Sequence, residues 1–419
     1  QLVNEILKTD IPDDWNIKKL EPDVGFVRSG KRLPKGYYVT SIPTQHPYIR
    51  VADMRAGYVD VDGLMYVPDE AYFRIQKYRI YRDDIYISVA GTLGIVGQIP
   101  DYLDGANLTE NANRITDIKC NIKFLMYWLM SSEIQGLINQ TQTLGAQPKL
   151  ALTRIRNFPI ILPPIEEQEQ IAEVLCNVDT LITNLRKLIR KKNDIRQGTM
   201  QMLVTGKKRL SGFDGNWRVT TLDQLCYIVT KQTGFDYSAE IKPSLVTTPQ
   251  IGTIPFIQNK DFEAFDINYN TDFFIPYDVA EKYPRILLNE VCLLISISGR
   301  IGNVAIFDNE QTSFAGGAVG IAKLYEPELA SWCMLYLSSK DGQEQIFSNE
   351  KVGAQHNLTV ADVRKLEIKM PAKSEREAII KVLTDMNDEI EVLEEKLDKY
   401  QKIKQGMMEE LLTGKVRLV

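Results

Sequence analysis

The sequence predicts an α+β (mixed α/β) chain: two similar globular domains separated by two long antiparallel coiled-coil helices, a pseudo-twofold tandem repeat. Three observations carry this expectation. After Pro163-Pro164, residues 162–210 hold a long proline-free stretch with helical periodicity. Sliding the sequence by 208 positions lays residues 370–418 on it without a gap, with 19 of the 49 aligned positions identical. The preceding parts repeat too: Asp14-Trp15-Asn16-Ile17 matches Asn216-Trp217-Arg218-Val219, and Ser88, Gly91 and Gly94 meet Ser296, Gly299 and Gly302. The expected boundaries are 1–161, 162–210, 211–369 and 370–419.

Within each globular half, residues 84–90 and 290–298 are rich in β-branched side chains and end at glycine-containing turns, which predicts strands. Residues 93–99 and 301–307 are expected as the returning strands. Residues 122–138 and 329–346 read as single helices, burying Phe124, Leu125, Trp128 and Leu129, then Trp332, Cys333, Tyr336 and Leu337. Residues 155–162 and 363–370 read as final strands leading into the long helices.

The seam of the first long helix is Ile171, Leu175, Val178, Ile182, Leu185 and Ile189, alternating steps of four and three. The second repeats it with Ile379, Leu383, Met386, Ile390, Leu393, Leu397 and Tyr400. Carboxylates open each helix (Glu166, Glu167, Glu169; Glu375, Glu377), suited to the positive end of the helix dipole. Each ends at Thr-Gly-Lys, where Gly206 or Gly414 supplies a left-handed stop. The middle of the first is basic (Arg186, Lys187, Arg190, Lys191, Lys192) and that of the second acidic (Asp388, Glu389, Glu391, Glu394, Glu395), which favours head-to-tail pairing; two separately solvated charged faces are the alternative.

Composition narrows the chemistry. Five dispersed cysteines without a CxxC, and no 18-residue apolar run, predict a reduced, cytoplasmic protein without a membrane span. Two histidines, His46 and His356, leave no clustered imidazole site. The run Gly91-Thr92-Leu93-Gly94-Ile95-Val96-Gly97 lacks the Lys-Ser/Thr of a phosphate loop and the GxGxxG order, so a tight turn is expected. No Asn/Asp-Pro-Pro-aromatic run for amine methylation is present, and Asp83-Asp84 is expected to be solvated. Catalytic, metal and cofactor-binding residues are therefore expected to be absent from this chain. With a net charge of -5, and 13 basic against 20 acidic residues across 211–369, any nucleic-acid contact there must come from a local patch.

Leu162-Pro163-Pro164-Ile165-Glu166-Glu167-Gln168-Glu169-Gln170-Ile171-Ala172, the closing Leu203-Val204-Thr205-Gly206-Lys207-Lys208-Arg209-Leu210, and Phe213 with Trp217 resemble the central conserved region of the specificity subunit of type I restriction-modification enzymes. Residues 411–418, ending Thr413-Gly414-Lys415-Val416-Arg417-Leu418, resemble its distal one, although Ala372-Lys373-Ser374-Glu375-Arg376 replaces Pro-Pro-x-Glu-Glu-Gln. The resemblance implies two target-recognition domains, each reading one half of a bipartite double-stranded DNA sequence, with the helices as spacer. It further implies two methyltransferase (M) subunits and motor-nuclease (R) subunits as partners. S-adenosylmethionine, ATP and Mg2+ would belong to those partners and none to this chain, which would be non-catalytic. A scaffold with paired heads unrelated to DNA is the alternative.

Given a DNA reader, loop residues suited to base edges are the candidates. They fall at equivalent places: Arg50 and Arg55 with Gln258 and Lys260; Thr92 with Arg300; Gln147 and Lys149 with Gln355 and His356. A cap at the start of a helix is the structural alternative for Gln147 and Gln355.

Overall fold

A computed structural model describes residues 11–140, 149–263, 266–348 and 357–418. The chain divides into two compact units, residues 1–187 with 394–419 and residues 188–393.

The units share one topology. In the first, an antiparallel sheet runs Phe26–Ser29, Ala112–Thr116, Ile85–Ser88, Val96–Gly97; in the second, Cys226–Lys231, Val319–Leu324, Cys292–Ser296, Val304–Phe307. A second sheet runs Met65–Tyr66, Pro47–Ile49, Ala106–Leu108, Arg79–Ile80, matched by Phe274–Pro276, Thr253–Ile257, Ser313–Ala315, Leu287–Leu288. Its middle pair is parallel in both units. A two-stranded ribbon closes each unit, Asn16–Lys19 on Pro159–Leu162 and Arg218–Thr221 on Glu367–Met370. The strands follow from fully buried β-branched runs such as Ile85–Ser88, whose two faces are both covered.

Some elements differ from the sequence expectation. The helix expected over 122–138 is two helices, Ile122–Met130 and Ser132–Asn139, and that over 329–346 is Ala330–Ser338 and Lys340–Ser348. Ser131 and Ser339 adopt extended backbone between them, and the Ser131 hydroxyl accepts from Ile134 N–H. At the second corner a Cβ on Gly342 would fall 2.3 Å from the Tyr336 carbonyl oxygen, so glycine permits the close turn. The expected final strands begin as helical turns, Leu152–Arg156 and Val360–Arg364, the latter capped by Thr359 with Asp362. Only Pro159–Leu162 and Glu367–Met370 remain extended. The returning strands are shorter than expected because the glycine turns occupy their starts.

The long helices are Ile165–Val204 and Lys373–Leu411. Gly206 and Gly414 follow them with φ of +74° and +75°, the left-handed stop. Residues 165–187 of the first helix and 394–411 of the second belong to the first unit; the remainders belong to the second unit. In the first unit, Ile171, Ala172 and Leu175 share a core with Met408, Leu411, Leu412 and the globular residues Trp128 and Ile160. In the second, Met200, Leu203 and Val204 join Ile379, Leu383, Trp332 and Ile368. Along the expected seam Ile182, Leu185 and Ile390 are also buried, and Val178, Ile189, Met386, Leu393, Leu397 and Tyr400 half-buried.

Polar contacts give the direction. In the first unit Asp179 pairs with Lys404 at 2.7 Å and Glu167 with Arg417 at 2.6 Å. In the second, Lys192 pairs with Glu389 at 2.6 Å, and Arg196 Nη1 donates to Asn387 Oδ1 at 2.7 Å. As one number rises the other falls, so the paired segments run antiparallel within each unit. The exposed Lys192–Glu389 pair contributes only about 0–1 kcal/mol; apolar burial dominates.

Leu412→Ala removes a fully buried side chain that joins the end of the second helix to the first unit's core. Denaturant titration of the full chain should show a loss of about 2–5 kcal/mol in the transition that contains this unit.

Candidate nucleic-acid interface

Three loops per unit carry the candidate residues, and a repeated polar device fixes one of them. In the first unit Ser88 Oγ donates to the Thr92 carbonyl at 2.6 Å and accepts Ile95 N–H at 2.8 Å. Gly91 and Gly94 have φ of +78° and +76°, and a Cβ on Gly94 would fall 2.8 Å from Gln135 Oε1. Gln135 Nε2 in turn donates to the Gly94 carbonyl at 3.0 Å and the Leu129 carbonyl at 2.9 Å, clamping the turn to the helix corner. In the second unit Ser296 accepts Asn303 N–H at 2.8 Å, and Gln343 Nε2 donates to the Gly302 and Leu337 carbonyls at 2.9 and 2.7 Å. A rigid tight turn results twice, with Thr92 and Arg300 exposed near the tips.

The neighbouring loops gather around these turns. Ala90 bridges Lys149, which is exposed. Arg55 lines a cleft of about 560 Å³ with Leu93, Gly94 and Lys404. Its guanidinium donates to the Ala52 and Met54 carbonyls at 2.7 and 2.9 Å and to Asp60 at 3.0 Å. In the second unit Asn259 Nδ2 donates to the Ser298 carbonyl at 2.7 Å, and Ser298 bridges Asn357, so the 258–261 loop meets the Arg300 turn. Thus Arg55, Thr92 and Lys149 are brought together in one unit, and Gln258, Lys260 and Arg300 in the other.

Besides Arg55, two of these positions are internally engaged. Arg50 meets the buried Asp53 bidentately at 3.0 and 2.6 Å, and donates to the Gly63 carbonyl at 3.0 Å. The hydrogen bond to Asp53 holds the Arg50 guanidinium above its ordinary pKa, and the group braces its own loop. Lys260 pairs with Asp272 at 2.6 Å, which raises its pKa, and lies 3.6 Å from Asp261. Burial pushes the Asp261 carboxyl up while it accepts Gln258 N–H at 2.8 Å. Gln147, Gln355 and His356 lie outside the described residues.

Asp84 corrects the sequence reading: only Asp83 of the pair is solvated. Asp84 is 4% exposed, accepts Arg114 Nη1 at 2.9 Å and Tyr81 N–H at 3.0 Å, and burial raises its pKa. The cause is position, since Asp84 caps the turn into a fully buried strand.

Buried carboxylates with several partners lie at the starts of the long helices. In the first unit Glu167, 1% exposed, accepts Trp15 Nε1–H at 3.1 Å and Arg417 through two donors at 2.6 and 2.8 Å. Arg417 also grips Asp14 at 3.0 and 2.8 Å and holds that carboxyl below the ordinary range. In the second unit Glu375, equally buried, accepts Trp217 Nε1–H at 3.0 Å and Arg209 Nη2 at 2.6 Å, with Arg209 Nε beside it. Each guanidinium lies over its indole, at 5.6 Å for Arg417 and 5.3 Å for Arg209. These two glutamates are buried anchors besides being acids at a helix start. Their signal was in the repeat, because Glu167 with Glu375 and Arg209 with Arg417 are identities at the 208 offset. The other two tryptophans also serve the helix starts: Trp128 Nε1 donates to the Pro159 carbonyl at 2.9 Å and Trp332 Nε1 to the Lys369 carbonyl at 2.8 Å.

A second cleft, lined by Lys231, Gln232 and Gln258, was not read from the sequence. Lys231 ends a strand and Gln232 follows it, with no motif around them. Among the described residues, no group of three or more His, Cys, Asp or Glu is placed to hold a metal ion.

Comparison with known proteins agrees with the duplication. The family described as type I restriction modification DNA specificity domain matches twice, over residues 12–196 and 215–404. A putative type I restriction enzyme MjaX specificity subunit of Methanocaldococcus jannaschii is 26% identical, over 98% of this chain and 95% of its own length. The MjaVIII specificity subunit of the same organism is 23% identical over 97% and 94%. Among solved structures, a chain from work on complex assembly and conformational transition of the type I R-M system aligns with a TM-score of 0.59 at 15% identity, covering 97% of this chain and all (100%) of that one. The S subunit of a type I restriction-modification system from M. genitalium aligns at 0.51 and 15%, covering 97% of each chain.

Glu167→Ala strands the Trp15 indole N–H and Arg417, so the first unit should lose about 1–3 kcal/mol in chemical denaturation. Asp14 is stabilised in its charged form. Its contribution is therefore complete above the ordinary value of 3.8 and is lost as the pH falls through the lowered value. The stability gap between wild type and Asp14→Asn, followed by melting against pH, should close in that acid range and stay constant above it.

Proposed function

The chain belongs to the family of type I restriction-modification DNA specificity proteins, with a matched domain in each half, and we propose that it gives such a system its DNA sequence specificity. In this reading residues 1–161 and 211–369 are target-recognition domains, each reading one half of a bipartite site in double-stranded DNA. Residues 162–210 and 370–419 form an antiparallel coiled-coil spacer that sets the gap, with pseudo-twofold symmetry between the halves. Two methyltransferase subunits dock on the spacer and motor-nuclease subunits join them. S-adenosylmethionine, ATP and Mg2+ sit on those partners, the present chain is non-catalytic, and the complex works in the cytoplasm. No described helix is long and apolar enough to cross a membrane.

The observation that carries this reading is one topology present twice, strand for strand, with a specificity-domain match on each copy. Antiparallel contacts inside each unit support the spacer, because a reader joined rigidly to such a rod holds its half-site at a fixed distance, as dimeric readers do. No observation favours a scaffold unrelated to DNA. Arg55, Thr92 and Lys149 in the first domain, and Gln258, Lys260 and Arg300 in the second, are the proposed DNA-facing groups. Arg50 acts there as a loop brace.

Footprinting of the chain assembled with its methyltransferase partner should give two protected patches separated by an unprotected gap. A single patch, or protection independent of sequence, would refute the reading. In the same complex Arg300→Ala should weaken recognition when the second half-site is present and leave the first half-site's base preferences unchanged. Uniform weakening on every sequence would make Arg300 a phosphate contact.

A further inference from the structure

The second unit holds a buried side chain that no contact among the described residues explains. Gln232 is 3% exposed, and neither its carboxamide nitrogen nor its oxygen has a hydrogen-bond partner among the described residues. A buried donor and acceptor left unmatched are both costly, and in native proteins such orphans are rare. Gln232 also lines a cleft of about 610 Å³, together with Lys231, Thr233, Phe256 and Gln258. Its Oε1 packs against the Gly316-Gly317 turn, where a Cβ on Gly317 would lie 3.4 Å away.

The lining describes the ligand. It offers two carboxamides, one ammonium and the two hydroxyls of Thr233 and Tyr237, and no acidic group, although residues 211–369 carry 20 acids against 13 bases. A carboxamide presents one donor beside one acceptor, which matches the N7 acceptor and N6 amino donor on adenine's major-groove edge. Lys231 at the cleft suits the adjoining phosphate backbone.

The other copy sharpens the point. Ile87 pairs with Asn113 and Ile295 with Gly320, and 295 is 87 moved by the repeat's 208; Asn113 pairs with Ser29 and Gly320 with Lys231, so Ser29 stands where Lys231 does and Gly30 where Gln232 does. By the same offset Arg50 answers to Gln258. In the first unit Gly30 offers no side chain at this place, where a Cβ would fall 2.0 Å from the Thr109 carbonyl oxygen, and Arg50 is taken up by Asp53. The carboxamide of Gln232 thus has no counterpart in the first copy, a difference that suits readers of unlike half-sites.

We propose that Gln232 is a specificity-determining residue that reads an adenine of the second half-site: rotated into the cleft, its Oε1 accepts from the N6 amino group and its Nε2 donates to N7. The proposal rests on the function given above. The test uses the full chain with its methyltransferase partner and duplexes in which each base pair of the second half-site is changed singly. Wild type should discriminate at every specified position; if it discriminates at none, the function itself falls before any variant is made.

With Gln232→Leu, discrimination should drop about ten- to hundredfold at one A·T position, while changes in the first half-site remain as damaging as in wild type. The Tm of the free chain should not fall, because an apolar group of similar size replaces an unmatched carboxamide. Gln232→Ala, which adds no bulk, covers a leucine that fails to pack. Unchanged discrimination, equal weakening on all duplexes, or a lowered Tm in both variants would overturn the assignment.

Discussion

The structure depends on a buried carboxylate at the start of each long helix. Glu167 and Glu375 are each enclosed by an indole N–H and a guanidinium, and in each unit that guanidinium comes from the tail that follows the other helix. A buried charge is tolerated only when paired and hydrogen-bonded, so each glutamate commits its unit to hold the beginning of one helix against the end of the other. The left-handed glycines serve the same end. Gly206 turns the chain under Trp217 and Gly414 turns it under Trp15, delivering Arg209 and Arg417 to their carboxylates.

Conservation between the copies marks framework, and divergence marks the faces in between. The serine-and-glutamine clamp on the glycine turn, the aspartate that caps the loop after the parallel strand, and the tryptophan bonded to the last strand occur in both units with nearly equal distances. Between these fixed points the side chains differ: Thr92 against Arg300, Arg50 against Gln258, Gly30 against Gln232. A rigid frame with interchangeable side chains is a sound basis for reading two sequences with one fold.

The duplication and the long helices were legible in the sequence because both are periodic signals, the one at 208 residues and the other at a heptad. Buried faces such as Trp128 and Trp332 followed from the same spacing. The breaks at Ser131 and Ser339 were hidden because Ile134, Ile138 and Ile346 continue the apolar pattern past the corner, and only the cap geometry ends the first helix. Asp84 read as solvated beside Asp83 because its partner Arg114 is 30 residues away in sequence. The Gln232 cleft is a product of packing between strand and loop, and no local pattern encodes it. Arg50 and Lys260 have side chains suited to bases, yet the aspartates that occupy them become visible only in three dimensions.

The central claim is that the long helices pair antiparallel through their middles and ends. Its most direct test is crosslinking in the full chain with a short bis-maleimide, with cysteines placed at Lys192 and Glu389, whose side-chain tips meet at 2.6 Å. The Lys192→Cys, Glu389→Cys protein should crosslink within the monomer rapidly with that reagent. Failure to do so, with ready crosslinking of Lys192→Cys to Tyr400→Cys, its equivalent at the 208 offset and the partner expected of parallel helices, would contradict the account.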